Sequence, residues 1–510
     1  MAADSQGLSL TGSGEAVAAY DRAIEHLIRF QPAVVAAAAE SAAADPGCVM
    51  GRVFGAYLGL MSTEEGAVAT AGAALGPADA DDSARLPRER AHLAAARRWI
   101  AGDMAGAGAL LGDISVRYPR DLLALFVGHQ VDFFRGDAVN LRDRIGRALT
   151  AWGKQDPQSG FLHGMYAFGL EECNQYGQSA EAGQRAVELN PDDVWGIHAV
   201  VHTYEMQGQV PAGVRFMRER RSDWSEGNFL SVHNSWHYAL YLLQAGNTGG
   251  ALSVYDQFMH HAGSEDIALE LLDATALLWR LWLEGIPAGD RWGPLAAAWA
   301  RLLAPGFYPF NDMHAIMAFI GNGELGRAWE VVTALERVVS ADGPASGPAS
   351  TGWAMTSAVG LPVCRSLAYF GAGQYEEAVG ELLPIRTRIH EFGGSHAQRD
   401  AVERTLLEAA IRAGRMDLAS ALVSERLSVR ESSTYAWSKR AFLLAMTGDT
   451  AGAASAAARE RELARQIRAA ADGALSPRRD LSPSSTRWPS VLPAMSLNAP
   501  GIGYTAPDAA

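Results

Sequence analysis

Four histidines in two short runs have the clearest capacity for chemistry in this chain: His198 and His202 in HAVVHTYE, and His233 and His237 in HNSWH. Both pairs are spaced i, i+4, and Glu205 lies seven residues after His198. On a helix, each set shares one face. Upstream, FLHGMYAFGLEECNQY adds His163, Tyr166, Glu171, Glu172, Asn174 and Tyr176. Imidazoles beside carboxylates serve two kinds of chemistry. They hold a metal, as i, i+4 histidines do in zinc and di-metal sites, or one imidazole moves a proton while a carboxylate orients it. A third use is structural, with the same groups hydrogen-bonding between helices and stiffening the stack. The protease-type zinc signature HExxH is absent, and no metal ligand and no cofactor are assigned. His202 or His237 is the candidate catalytic acid or base, with Glu205 as its orienting carboxylate.

Around this block the candidate ligand contacts are His163, Tyr166, Glu171, Asn174, Trp195, His198, His233 and Trp236. Phe229, Tyr238, Trp279, Trp282 and Trp224 add aromatic surface; most helical aromatics are core, and the remainder floor a pocket. The segment ELLDATALLWRLWLEG brings Glu270, Asp273 and Arg280. An arginine there suits a ligand carboxylate or phosphate, or a salt bridge to Asp273 or Glu284. His396 and Arg399 in GGSHAQRD form a second polar group. That segment nearly matches G-x-S-x-G, but no strand precedes it, so its serine is read as a helix cap. GNGELG at 321–326 lies between two helices and is read as a turn, not a dinucleotide loop. His129 and Asp132 are read as packing groups.

The elements that must position these residues are helices. Apolar residues recur at three- and four-residue spacing throughout, and no run alternates as a strand would, so no sheet is expected. Breaks at glycine or asparagine recur about every 34 residues, the tetratricopeptide period. Compare LEECNQYGQSAEAGQRAVELNPDD, IGNGELGRAWEVVTALERVV and YFGAGQYEEAVGELLP. Each ends a helix, turns, and opens a second helix with a small residue. The fold class expected is all-α, a tetratricopeptide-like solenoid with a concave wall. Inner helices are expected near 86–101, 120–135, 160–176, 193–207, 229–245, 266–284, 310–322, 355–371, 396–413 and 433–447. Neighbouring inner helices run about 10 Å apart, so their side chains can converge. Residues 1–80 are read as an N-terminal helical cap, 81–470 as the solenoid, and 471–510, rich in Pro, Ser and Ala, as a disordered tail.

Composition narrows the partners. The chain has 510 residues, 48% hydrophobic and 20% charged, which marks it as globular and longer than one ordinary core. A net charge of −14 and only two lysines, Lys154 and Lys439, argue against nucleic acid or an anionic membrane. Three scattered cysteines form no disulfide framework. No segment reads as a leader or a membrane span, so a cytoplasmic protein is expected. The expected partner is a protein, a peptide or a small molecule held on the concave face. Concentration of the polar residues in about three repeats favours a small-molecule pocket over a peptide groove. An enzyme built on the same residues is the alternative.

With these motifs in hand, the chain resembles the tetratricopeptide repeat protein 38 family. The resemblance is carried by ADPGCVMGRVFG (44–55), ALFVGHQVDFFRGD (124–137), HGMYAFGLEECNQYGQSAEAGQRAVELNPDDVWGIHAVVHTYEMQG (163–208), RSDWSEGNFLSVHNSWHYALYLLQAG (221–246) and GGSHAQRD (393–400). It spans most of 15–470. It implies a cytosolic helical repeat whose His/Trp/Glu block is the working surface, without naming the work.

Overall fold

The computed structural model describes residues 2–76, 86–153, 155–340 and 350–471. Within them the chain is a succession of antiparallel helical hairpins, an all-α tetratricopeptide-like superhelix. Inner helices form at Pro87–Ile100, Leu122–Phe134, Ser159–Glu172, Val194–Met206, Ser231–Gln244, Ala268–Leu283, Pro309–Gly321, Leu361–Gly371, His396–Arg412 and Thr434–Met446. An outer helix follows each, such as Tyr176–Leu189 and Val210–Glu219. The N-terminal segment adds Gly14–Ile28, Ala33–Ala44, Val49–Leu60 and Gly66–Leu75. The sequence pattern missed one ribbon, in which Ala2–Ala3 pairs antiparallel with Ser9–Leu10. Two-residue strands are too short to show alternation. Residues 472–510 of the expected tail, and 341–349, rich in Gly, Pro and Ser and read from the sequence as a loop inside the array, lie outside the described residues.

Local chemistry explains the hairpins. After Val194–Met206 the chain turns at Gly208 with φ 69°, the left-handed conformation that closes a helix. After Ser159–Glu172 the same place is taken by Asn174, with φ 60°, asparagine being the next most tolerant residue there. Helix starts are capped by side chains. Asp121 accepts from the Ala124 amide at 3.0 Å, and Ser395 forms a reciprocal box with Gln398. Small residues set the spacing between inner helices. A Cβ on Gly164 would stand 2.9 Å from the Gly196 Cα, so the helices carrying Glu171 and His202 lie unusually close.

The superhelix closes on itself, which the repeat pattern did not reveal. The Phe229 amide donates to the Phe30 carbonyl at 2.9 Å. The Ala268 amide donates to Glu64 Oε1 at 2.9 Å and Asn311 Nδ2 to the Thr63 carbonyl at 3.0 Å. The N-terminal hairpins thus lie across the mouth of the concave wall. At the other end, Thr450–Ala471 packs on Val210–Glu219, with Arg468 donating to the Ala245 carbonyl at 2.6 Å. His396–Arg412 returns against Ala268–Leu283, where Trp279 Nε1 donates to Thr405 Oγ1 at 2.9 Å. The concave wall is therefore buried, and its polar residues are interior groups. Among the described helices none is long and apolar enough to cross a membrane.

Candidate functional site

His198 and His202 come from Val194–Met206, His233 and His237 from Ser231–Gln244. The four rings meet face to edge. Centroid separations are 4.4 Å for His198–His202, 4.8 Å for His198–His233, 4.3 Å for His202–His237 and 4.8 Å for His233–His237. One nitrogen from each ring lies within 4.8 Å of the others. Nε2 of His233 is 2.9 Å from Nε2 of His198. Three of the four rings have a carboxylate behind them. His233 Nδ1 is 2.7 Å from Asp273 Oδ2, His237 Nδ1 is 3.4 Å from Glu205 Oε2, and His202 Nδ1 is 3.7 Å from Glu171 Oε2. Both nitrogens of His202, Nε2 of His237 and Nδ1 of His198 are buried without a protein hydrogen-bond partner.

Burial disfavours the charged form of His198, His202 and His237. It pushes His198 and His202 well below the usual histidine range, and the neighbouring rings add to this. His237 is also lowered by burial, although Glu205 works against the shift. Glu205 is buried too, yet His237 and Arg430 outweigh that and hold it below the usual carboxylate range. Beside the cluster, burial and Glu172 push Glu171 upward. His396 and Arg399 overcome the burial of Glu172 and hold it down.

On one side the cluster faces a cavity of about 110 Å³. Its walls are Leu27, Phe30, Val34, Leu58 and Met61 from the N-terminal hairpins, together with Phe126, Phe133, Phe134, Phe168, Trp195, Phe229, Leu269, Leu272, Tyr308 and Phe310. His198, His233, Glu270, Gln130, Ser395 and Gln398 supply its polar atoms. Trp195 stacks on Phe30 with ring centroids 5.3 Å apart. Burial and the nearby Glu265, Asp273 and Asp266 push the Glu270 carboxyl up to about 8. Glycines 393 and 394 let the loop before His396 reach this wall. A Cβ on Gly394, at φ +76°, would stand 2.4 Å from the Phe310 ring.

Of the residues singled out in the sequence, His198, His202, Glu205, Glu171, His233, His237 and Asp273 assemble in one place. Trp195 floors the cavity, and Trp236 lies on His233 at 5.4 Å. The others fall elsewhere. His163 is half-buried and turned toward the outer helix, where burial and then Arg185 lower its pKa. Tyr166 packs against Gly146 of the preceding hairpin. Asn174 is an exposed turn residue whose Oδ1 accepts from Tyr176. None of these three lines the cavity. Arg280 is not an anion contact in the cavity, nor does it pair with Asp273 or Glu284. It donates to the carbonyls of Ala276 at 2.8 Å and Ala397 at 2.6 Å and lies 3.7 Å from Asp400, so it ties two inner helices together. His396 and Arg399 are paired within the chain: His396 Nδ1 is 3.3 Å from Glu171 and 3.4 Å from Glu172, and Arg399 Nη2 donates to Glu172 at 2.9 Å. His202 and His237, each read as a candidate acid or base, stand one layer behind the cavity, while His198 and His233 border it.

Sequence reasoning missed most of the apolar lining. Phe30, Phe126, Phe168 and Phe310 carry no signal that separates a cavity wall from ordinary core, because both are apolar positions on helical faces. Gln398 lies within the GGSHAQRD segment already singled out, and its hydrogen bond to Asp273, at 3.3 Å, shows its place.

No protein-family model matches the chain, so the tetratricopeptide-like class stands on the hairpins themselves. Solved structures with a similar helical arrangement include a human IFIT1 dimer with PPP-AAAA, at 13% identity and a TM-score of 0.38 over 91% of this chain and 96% of that one. A human IFIT1 dimer with m7Gppp-AAAA aligns at 14% identity and a TM-score of 0.39, over the same shares of the two chains. The APC/C hetero-tetramer Cut9-Hcn1 aligns at 11% identity and 0.29, over 91% and 97%. Overlays this distant carry no function across. They do correct one expectation. Helical arrays of this class include complexes with capped and triphosphate RNA, so the exclusion of nucleic acid drawn from the net charge is withdrawn.

Proposed function

We propose that this chain binds a small, largely apolar molecule with one polar end. The molecule lies in the cavity with its polar end against His198, His233, Glu270 and Gln398. The observation that carries the reading is the asymmetry of the lining, aromatic and aliphatic over most of the wall and polar where it meets the histidines. Apolar walls supply affinity and a few convergent polar groups fix orientation. The size suits a body of roughly one aromatic ring or a short alkyl chain, since a cavity of about 150 Å³ takes up benzene.

The test has two arms. Extraction of the purified protein and mass spectrometry identify a retained ligand, and calorimetric titration with phenol measures occupancy directly. Leu269→Trp, at the half-buried edge of the wall, is expected to abolish phenol binding with the fold intact by circular dichroism. Equal binding by wild type and Leu269→Trp overturns the assignment.

A second reading, an enzyme acting on the same molecule, is favoured by the Asp273–His233 pair. It borders the cavity with its carboxylate 2.7 Å behind the imidazole, the arrangement of an oriented acid or base. If His233→Gln protein retains a chemically different ligand from wild type, turnover is supported. An identical ligand on both leaves binding alone.

A further inference from the structure

We propose that His198, His202, His233 and His237 together bind one divalent transition-metal ion. This goes beyond binding in the cavity and does not depend on it. Three features of the cluster point the same way.

The first is convergence. Four imidazoles from two adjacent helices bring one nitrogen each within 4.8 Å of all the others. Around a tetrahedral ion with metal–nitrogen bonds of about 2.0–2.1 Å, ligand nitrogens stand about 3.4 Å apart. The cluster therefore needs only small ring rotations to close on an ion. The 2.9 Å between the Nε2 atoms of His198 and His233 would open slightly as both turned toward the metal.

The second is the set of buried nitrogens without partners. Leaving a buried polar atom unpaired costs about 1–3 kcal/mol, and native interiors seldom do so without cause. Here His202 leaves both nitrogens unpaired, His237 its Nε2 and His198 its Nδ1. A single ion would give a partner to His237 Nε2 and to one nitrogen of His202, the two rings with no other donor or acceptor on that side.

The third is the layer behind the rings. Glu171 stands 3.7 Å from His202 Nδ1, and Asp273 at His233 Nδ1 and Glu205 at His237 Nδ1 repeat the carboxylate–histidine–metal arrangement. In it, the outer carboxylate fixes the tautomer and makes the imidazole a stronger donor. The Nδ1 contacts of His237 and His233 assign their Nε2 atoms to the ion. Carboxylates on three sides also offset the charge of a divalent cation. All-nitrogen donors suit zinc, copper, iron or nickel rather than calcium or magnesium, which take oxygen. Glu171, Glu172 and His202 also converge within 4.8 Å. Glu172 is already held by Arg399 at 2.9 Å, so the ion belongs on the four-imidazole side.

The experiment uses the full chain. The protein is stripped with a chelator, refilled with Co²⁺, and followed by visible absorption and elemental analysis. One equivalent per chain with tetrahedral ligand-field bands is expected. The His202→Gln/His237→Gln double variant is expected to lose at least about 100-fold in affinity, and Asp273→Asn about 10–100-fold. His26→Gln, at a histidine of Gly14–Ile28 whose Nδ1 is 2.7 Å from Gln31 Oε1, is expected to bind as wild type. Substoichiometric Co²⁺ uptake by wild type, or full uptake by the double variant, overturns the proposal. If the double variant does not fold, the wild-type titration and Asp273→Asn decide. Leu269→Trp separates the two readings: it blocks the cavity and is expected to keep the metal, so failure of one leaves the other visible.

Discussion

His92 and His202 are both fully buried imidazoles on inner helices, and their surroundings are opposite. His92 has both nitrogens occupied, Nε2 at 3.0 Å from Asp121 and Nδ1 at 3.2 Å from the Tyr57 hydroxyl. Asp121 also faces Arg88, which pairs with Asp4 at 3.0 Å. For His92 itself the chain completes the hydrogen bonding, although Nε and Nη2 of Arg88 are buried without a hydrogen-bond partner. His202 has neither nitrogen hydrogen-bonded, and its nearest carboxylate is 3.7 Å away. Burial alone therefore does not separate a structural histidine from a candidate ligand. What separates them is whether the protein itself completes the group's hydrogen bonding.

The largest expected effect tests the answered side. Asp121→Ala strands Arg88 and His92 in the interior and is expected to cost about 3–5 kcal/mol in denaturant unfolding. His202→Ala in metal-free protein strands no charge and is expected to cost less than about 2 kcal/mol. Equal losses would break the contrast.

Next comes the unanswered side. Metal at about 100 times its dissociation constant is expected to stabilise wild type by roughly 2.7 kcal/mol. Thermal melts with and without chelator measure this. The His202→Gln/His237→Gln protein should melt identically under both conditions, and a chelator effect that persisted in it would place the ion elsewhere.

The smallest effect concerns His396, which stands between the two cases: it is ion-paired, but to carboxylates at the cluster's border. Burial opposes its charge, yet Glu172 and Glu171 prevail and raise its pKa from 6.5 to about 9. A histidine raised in the folded state stabilises fully below its unfolded pKa, and that contribution is lost as pH rises through the folded one. Relative to His396→Gln, wild type is therefore expected to lose on the order of 2 kcal/mol between pH 6.5 and 9. Unfolding curves across that window check it, and a difference independent of pH would show that the His396–glutamate pairing contributes nothing.

Much of this molecule was legible in its residues. The helix at Val194–Met206 follows from its apolar spacing, and its i, i+4 histidines share a face because 3.6 residues make a turn. The pairing of Glu205 with His237 follows from two such faces on adjacent inner helices. Arg280 was not legible. Its side chain meets Ala397, 117 positions away, through a return of the chain that no local pattern encodes. Asn174 misled for a related reason: an asparagine beside two buried glutamates reads as a polar contact, and only its backbone angle shows it to be a turn.

The sequence by itself determined the elements, their hairpin pairing, and the set of histidines that share a wall. These rest on interactions between residues a few positions apart, and the chain repeats them. Only the tertiary structure decided that the wall is closed. Closure sums small rotations over successive hairpins and is completed by contacts such as Phe229 to Phe30, about 200 residues apart. It buries the imidazoles that share the wall, and removal from water is what makes their unpaired nitrogens informative.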